Sequence, residues 1–361
     1  MKRIKMQRFL GLVIAVMLLL NIPTLSNTVY ASDVSVNDNA NSQSLSNDVA
    51  KMYATIDKYT TVWERDPVTG KYSYPITPEA NIWSKLNHAE RVALCNIPDY
   101  VLSDITDAEL VELVLDYPLL LDVYAYSSFE DGIKCVAEYF PALDKVTNNN
   151  SFNTYLEEST NGLLSSNSNL SNELSTMNSI QDSLKNQFIA DYCESQKISL
   201  FSTMQTSSVN TSVTTPKGTS VSCIIYGELL TADDKQYWKD YVAYYYPNCD
   251  FISQATTNYN CHSYAWYYMS TSNTIWMPYP TGYMTDGSAT YVGTSPTANN
   301  QRVFYDYSGN EHSGIVMNYS TKLIQSKWGQ LPLMSHNVYD CPYFIIPMNT
   351  DKIKFYKLNL F

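Results

Sequence analysis

Residues Thr256 to Tyr268 read T-T-N-Y-N-C-H-S-Y-A-W-Y-Y. Thr256, Thr257, Asn258 and Asn260 have side chains that cap helices, and the spacing after them sets Tyr264, Ala265, Tyr268 and Met269 on one face. The stretch predicts a helix with Cys261 in its first turn. There the unpaired N–H groups and the positive end of the helix dipole favour an anion, so a thiol loses its proton more readily than in free solution. Cys261 is thus a candidate nucleophile, set against two plainer roles: a small buried hydrophobe, or half of a disulfide.

Downstream of the cysteine, the period of the sequence changes to two. Arg302 to Tyr307 alternates, Ser308-Gly309-Asn310 turns, His312 to Asn318 alternates again, and Lys322 to Trp328 comes after a short loop. This predicts an antiparallel meander. Upstream, Val221 to Gly227 reads as a strand and Thr231-x-x-Asp234 opens an amphipathic helix through Ala243. Trp276 to Val292, with Pro278, Pro280, Gly282 and Gly287, reads as loop or short strands. Three of the four histidines, His262, His312 and His336, share this region with Cys261. A cysteine at a helix start and a histidine on a later strand are what a thiolate–imidazolium pair requires.

Asn260-Cys261-His262-Ser263-Tyr264-Ala265-Trp266 resembles the start of the nucleophile helix in NlpC-type cell-wall peptidases. His312-Ser-Gly-Ile-Val-Met317 resembles their His-Val-Gly-Ile strand. CHAP-type amidases and other papain-like hydrolases share the layout. The resemblance spans about Tyr259 to Trp328. It implies that Cys261 attacks a carbonyl carbon, that His312 shuttles the proton and that a third polar group fixes the imidazole. The backbone N–H of Cys261 would hold the oxyanion, with the Tyr259 hydroxyl as a candidate second donor. The implied substrate is a peptide, with peptidoglycan stem peptides foremost.

Sheet geometry narrows the third group. If the residue numbers of facing partners in the His312–Trp328 hairpin sum to 640, His312, Gly314, Ser326 and Trp328 share a face, with Ser326 diagonal to His312. A one-residue slip presents Gln325 or Lys327 instead, and His336 is placed to fold back. Ser326 is preferred, with His336 and Gln325 as alternatives. His262 is a cleft residue or, on the plainer reading, a solvated one. No cofactor is expected. Zinc is disfavoured because no Cys-x-x-Cys or His-x-x-x-His pair is present to orient it.

The amino terminus carries Lys2, Arg3, Lys5 and Arg8, an apolar run from Phe9 to Leu20, and Val29-Tyr30-Ala31. This pattern predicts a cleavable signal peptide over 1–31 and a secreted, extracellular or cell-wall-associated protein without a stable membrane anchor. The chain has 23 basic and 35 acidic residues. Loss of the four leader cations leaves 19 against 35, a balance unsuited to nucleic acid or anionic lipid. Seven cysteines leave one over if the other six pair.

Residues 32–48, rich in Ser, Asn and Asp, predict a disordered tail. Residues 49–202 predict a helical domain. In it Asn87 caps a helix through Cys95, Thr106-x-x-Glu109 and Ser128-x-x-Asp131 open two more, a Ser/Asn-rich connector comes next, and Leu170 to Phe188 forms one long amphipathic helix. His88, beside a cap, reads as a surface residue. Residues 203–220, crowded with Thr and Ser and broken by Pro216-Lys217-Gly218, predict the linker to a domain over 221–361. The expected class is α+β: a helical domain, then a papain-like domain with its nucleophile helix on a β-meander. The competing function is an extracellular binding or structural protein that keeps such a shell without turnover. In that reading Cys261 is bridged or buried, and the Tyr/Trp-rich loop from Trp276 to Tyr291 contacts glycan or protein.

Overall fold

The computed structural model describes residues 36–60, 62–148, 185, 187–189, 191–192, 208–307, 311–345 and 352–359. The leader, the Ser/Asn-rich connector, Cys193 and most of the long amphipathic helix lie outside the described residues. From Asn39 onward the described residues belong to one compact unit, which holds all the described strands and Cys261.

The helices begin where side chains can cap them. Helix α1 covers Val36–Tyr59, so the stretch expected as a tail is helical from Val36. Asn87 opens α2 (His88–Leu94) and Thr106 opens α4 (Asp107–Leu115), each with a full capping box; α3 (Asp99–Leu102) lies between them. Ser128 caps α5 (Phe129–Tyr139), and Pro141 starts α6 (Pro141–Thr147). Two 3₁₀ segments, Trp83–Lys85 and Leu120–Ala125, complete the helical half.

From Val209 on, the Thr/Ser-rich stretch expected as a linker is instead part of a hairpin, and 203–207 lie outside the described residues. β1 (Val209–Thr214) pairs with β2 (Ser220–Ile225), closed by a turn with Gly218 at φ +94°. β-Branched Thr and Val suit a pleated surface, and the buried Val213, Val221 and Cys223 hold the hairpin down. Helix α7 (Ala232–Tyr245) comes behind the Thr231 capping box. Thr281–Thr285 forms a one-turn helix, α8, inside the segment expected to be non-helical.

The remaining strands are β3 (Asp250–Ser253), β4 (Ala289–Gly293), β5 (Arg302–Tyr305), β6 (His312–Asn318), β7 (Leu323–Lys327), β8 (Leu333–Asn337) and β9 (Ile353–Leu358). They form a seven-stranded sheet in the order β3-β8-β7-β6-β5-β9-β4, each neighbouring pair antiparallel. Ile315 faces Gln325 and Val316 faces Ile324, the expected register, before a bulge sets Asn318 opposite Leu323. The chain is therefore α+β.

Alternation divides the sheet between two apolar cores. Val303, Tyr305, Val316, Ile324, Met334, Ile353 and Phe355 face a core shared with α1 to α7. Phe304, Ile315 and Leu333 face a smaller core with the β1–β2 hairpin and Tyr259, Tyr264 and Trp266. The larger core runs without a break from Met52 to Phe355, so the helical half and the sheet bury one another.

Two polar knots pin this arrangement. Asp122, fully buried, accepts hydrogen bonds from His88 Nε2 (2.8 Å), the hydroxyls of Tyr139 and Tyr241 (3.3 Å each) and the Tyr246 hydroxyl. The His88 Nδ1 atom lies 3.1 Å from the Phe344 carbonyl. His88 is thus a buried tie between halves rather than a surface residue. Buried Lys327 donates to the carbonyls of Thr256, Gly329 and Leu331, using all three ammonium protons. It fastens the loop before Cys261 to the β7–β8 turn.

Candidate active site

Asn260 sets the position of Cys261. Its Oδ1 accepts from the backbone N–H groups of Ser263 and Met277 (3.1 Å each), and its Nδ2 donates to the Met277 carbonyl (2.8 Å). The first two contacts cap the turn and clamp it to the Trp276 loop. The helix itself is shorter than its sequence spacing suggests. Tyr264 N–H bonds Asn260 O in the α pattern, but Tyr268 N–H reaches back to Ser263 O, closing a π turn over Ser263–Tyr267. Tyr264 and Ala265 are buried as expected; Tyr268 and Met269, past the end of the turn, are 50% and 43% exposed.

Cys261 is 6% exposed and unbridged, and it lines a cavity of about 340 Å³. The other described cysteines, Cys95, Cys135, Cys223, Cys249 and Cys341, are also free thiols, so the pairing that the cysteine count allowed is not formed among them. Burial pushes the Cys261 thiol up to about 12; the backbone N–H groups of Ser313 and His262 and the charge of Lys327 oppose it without prevailing. The expected low-pKa thiolate is therefore not the resting state, because a single short turn supplies too small a field to offset desolvation.

His262 is buried, not solvated. Its Nδ1 lies 2.8 Å from Ser313 Oγ, which also accepts from Trp266 Nε1 (2.8 Å), and it lines the same cavity. Burial pulls its pKa down to about 3. Ser313 therefore points to the face of β6 that carries the cysteine turn.

His312, one residue earlier, points the other way. Its ring stacks on Tyr343 at 3.5 Å between centroids and lies 5.4 Å from Tyr305. Both ring nitrogens are buried without a hydrogen-bond partner, so Cys261 and His312 form no hydrogen-bonded pair in this arrangement. Burial, and then the charges of His336 and His262, hold the His312 pKa well below the usual imidazole range. Tyr343 links the two residues: it stacks on His312, lines the cavity beside Cys261 and donates its hydroxyl to the Ala125 carbonyl.

Ser326 lies on the His312 face, as expected from the register, but its hydroxyl is engaged with His336 Nε2 (2.7 Å) and Trp328 Nε1 (3.1 Å). His336 does fold back, onto Ser326 rather than onto His312, with Nδ1 2.7 Å from the Asn337 carbonyl. Gln325 faces the other side and accepts from the Tyr264 hydroxyl (2.8 Å). Tyr259 packs on Tyr264 outside the cavity wall, and its hydroxyl is buried and unpaired. The structure thus brings Cys261 and His262 to one cavity, sets His312 behind Tyr343, and pairs Ser326 with His336.

Sequence reading missed the far wall of that cavity. Ala125, Tyr126, Ser127, Ser128 and Asp131 come from the helical half, and Gly329 from the β7–β8 turn. Gly329 sits at φ +49°, and a Cβ there would lie 2.4 Å from the Ala125 carbonyl oxygen. That close approach fits glycine alone and was the one local signal of the contact.

Compared with known proteins, the chain matches no family model, no curated protein and no solved structure. Among the described residues, no helix is long and apolar enough to cross a membrane.

Proposed function

We propose that the protein is a secreted thiol-dependent amide hydrolase of papain-like plan with Cys261 as nucleophile and His312 as base, held at rest. The supporting observation is the coincidence, around one tyrosine, of a thiol on a cavity wall and an imidazole buried with neither nitrogen satisfied. An orphaned buried ring nitrogen costs about 1–3 kcal/mol. Such a cost is tolerated where the group has work in another conformation.

In the working state Tyr343 leaves the His312 ring and the start of β6 turns, carrying the imidazole from the face opposite the cysteine turn to the sulfur. The imidazole takes the thiol proton, sulfur attacks the carbonyl carbon, and the amine leaves with that proton. Water then cleaves the thioester to the acid and restores the thiol. The backbone N–H groups of Ser313 and His262, which favour the thiolate over the thiol, are suited to hold the oxyanion. Peptidoglycan stem peptides are the substrate that the resemblance implies.

A second reading, an extracellular binding or structural protein, draws on the protonated thiol and the unformed pair. Alkylation decides between them. Native protein is treated with iodoacetamide between pH 6 and 10, and Cys261 modification is followed by peptide mapping. Hydrolase function requires that Tyr343→Ala accelerate labelling and that adding His312→Ala abolish the gain. Cys261 that stays inert in all variants leaves only the binding protein.

A further inference from the structure

The Cys261 cavity is one end of a longer groove. It shares Tyr126, Tyr226 and Trp276 with a cavity of about 450 Å³, which in turn shares Tyr124, Asp191 and Gln330 with one of about 430 Å³. The walls are aromatic, and the charges along them have one sign. Asp131 and Glu311 lie in the first cavity, Glu130 in the second, and Asp191 in the second and third. No lysine or arginine lines any of the three among the described residues.

The carboxylates are also unneutralised. None of these four makes an ion pair among the described residues, in contrast to Asp48, Asp104, Glu109 and Asp306 elsewhere on the chain. Among the described residues, Asp131 accepts from Ser128 Oγ (2.8 Å), and Asp191 from Gln187 Nε2 (2.9 Å) and the Tyr124 hydroxyl. Asp131 and Glu311 are half-buried in the cavity that holds the thiol. Low-dielectric walls lined by one sign of charge concentrate ligands of the other sign, and Tyr and Trp faces attract cations.

We infer that the groove selects acyl donors bearing a positive charge: peptides with a lysine, arginine or other free amine next to the bond presented to Cys261. This inference rests on the hydrolase reading for the role of Cys261, but the groove's preference for cations is testable without turnover.

The probes are three methanethiosulfonates: 2-(trimethylammonio)ethyl, methyl and 2-sulfonatoethyl. Each reacts with Cys261 to form a mixed disulfide and release methanesulfinate, and each rate is divided by that on free cysteine. The cationic reagent should outpace the anionic one by about tenfold or more at low salt. The ratio should fall toward unity in about 1 M NaCl and in Asp131→Asn/Glu311→Gln. A ratio near one, or one unchanged in that double variant while its circular dichroism matches the parent, overturns the inference. In parallel, acetyl-Lys-Ala-Lys-amide and acetyl-Glu-Ala-Glu-amide are titrated calorimetrically into the Cys261→Ala protein. Binding of the lysine peptide alone supports the groove even if Cys261 reacts with none of the reagents, an outcome that removes the hydrolase. Equal binding, or none, removes the groove.

Discussion

Replacing Asp122 by alanine tests whether the two halves are one cooperative body. The carboxylate is fully buried and receives His88, Tyr139, Tyr241 and Tyr246. Those partners come from α2, α5, α7 and the residue after α7. Alanine leaves one imidazole nitrogen and three hydroxyls buried without an acceptor. At about 1–3 kcal/mol per orphaned group, discounted because neighbours relax together, the loss is about 4–8 kcal/mol. A domain's whole stability is about 5–15 kcal/mol. Urea unfolding followed by the fluorescence of the six tryptophans should therefore show Asp122→Ala unfolded or nearly so in water. Asp122→Asn, which keeps one acceptor oxygen, should lose about half as much. A midpoint for Asp122→Ala within about 0.5 kcal/mol of the parent would refute the argument, as would a biphasic curve in which only the helical half melts early.

Acid should unfold the protein earlier than its carboxylates require. Burial lowers the His336 pKa from 6.5 to about 4. The unfolded chain therefore binds the extra proton first, and stability present above pH 6.5 falls as pH drops toward 4, by about 3 kcal/mol for this residue. Denaturation midpoints measured across that window should flatten in His336→Gln. Lys327→Met should cost about 3–5 kcal/mol by stranding three carbonyls, read as a urea midpoint. Gly329→Ala forces a Cβ to 2.4 Å from the Ala125 oxygen; it should destabilise by about 3 kcal/mol or more and speed Cys261 alkylation by parting the cavity wall.

Much of the local structure was legible because its causes are local. Thr106 with Glu109 and Thr231 with Asp234 make capping boxes from residues three apart, and of the registers that alternation left open the structure adopts the one with partners summing to 640, Ile315 opposite Gln325. The Thr/Ser-rich hairpin was misread because composition was weighed over pattern: Val213, Val221 and Cys223 already alternate on either side of a Pro-Lys-Gly turn. Parity was decisive at the site. Ser313 binds His262, so adjacent His312 must face away, but nothing near position 262 in the sequence announces that bond. The burial of His88 was equally illegible, since Asp122, Tyr246 and Phe344 meet it only across long separations.

The place of β9 in the sheet has a consequence for how the molecule is made. Ile353–Leu358 follows every other described strand along the chain, yet it is wedged between β5 and β4 and is the strand that pairs with β4 in the sheet. While those residues are still inside the ribosome the sheet has a gap between β5 and β4, and β4 is left with only its packing on α8 and the smaller core. Closing the sheet must wait until Ile353–Leu358 has emerged, and deleting that strand should leave β4 unpaired rather than fray an edge.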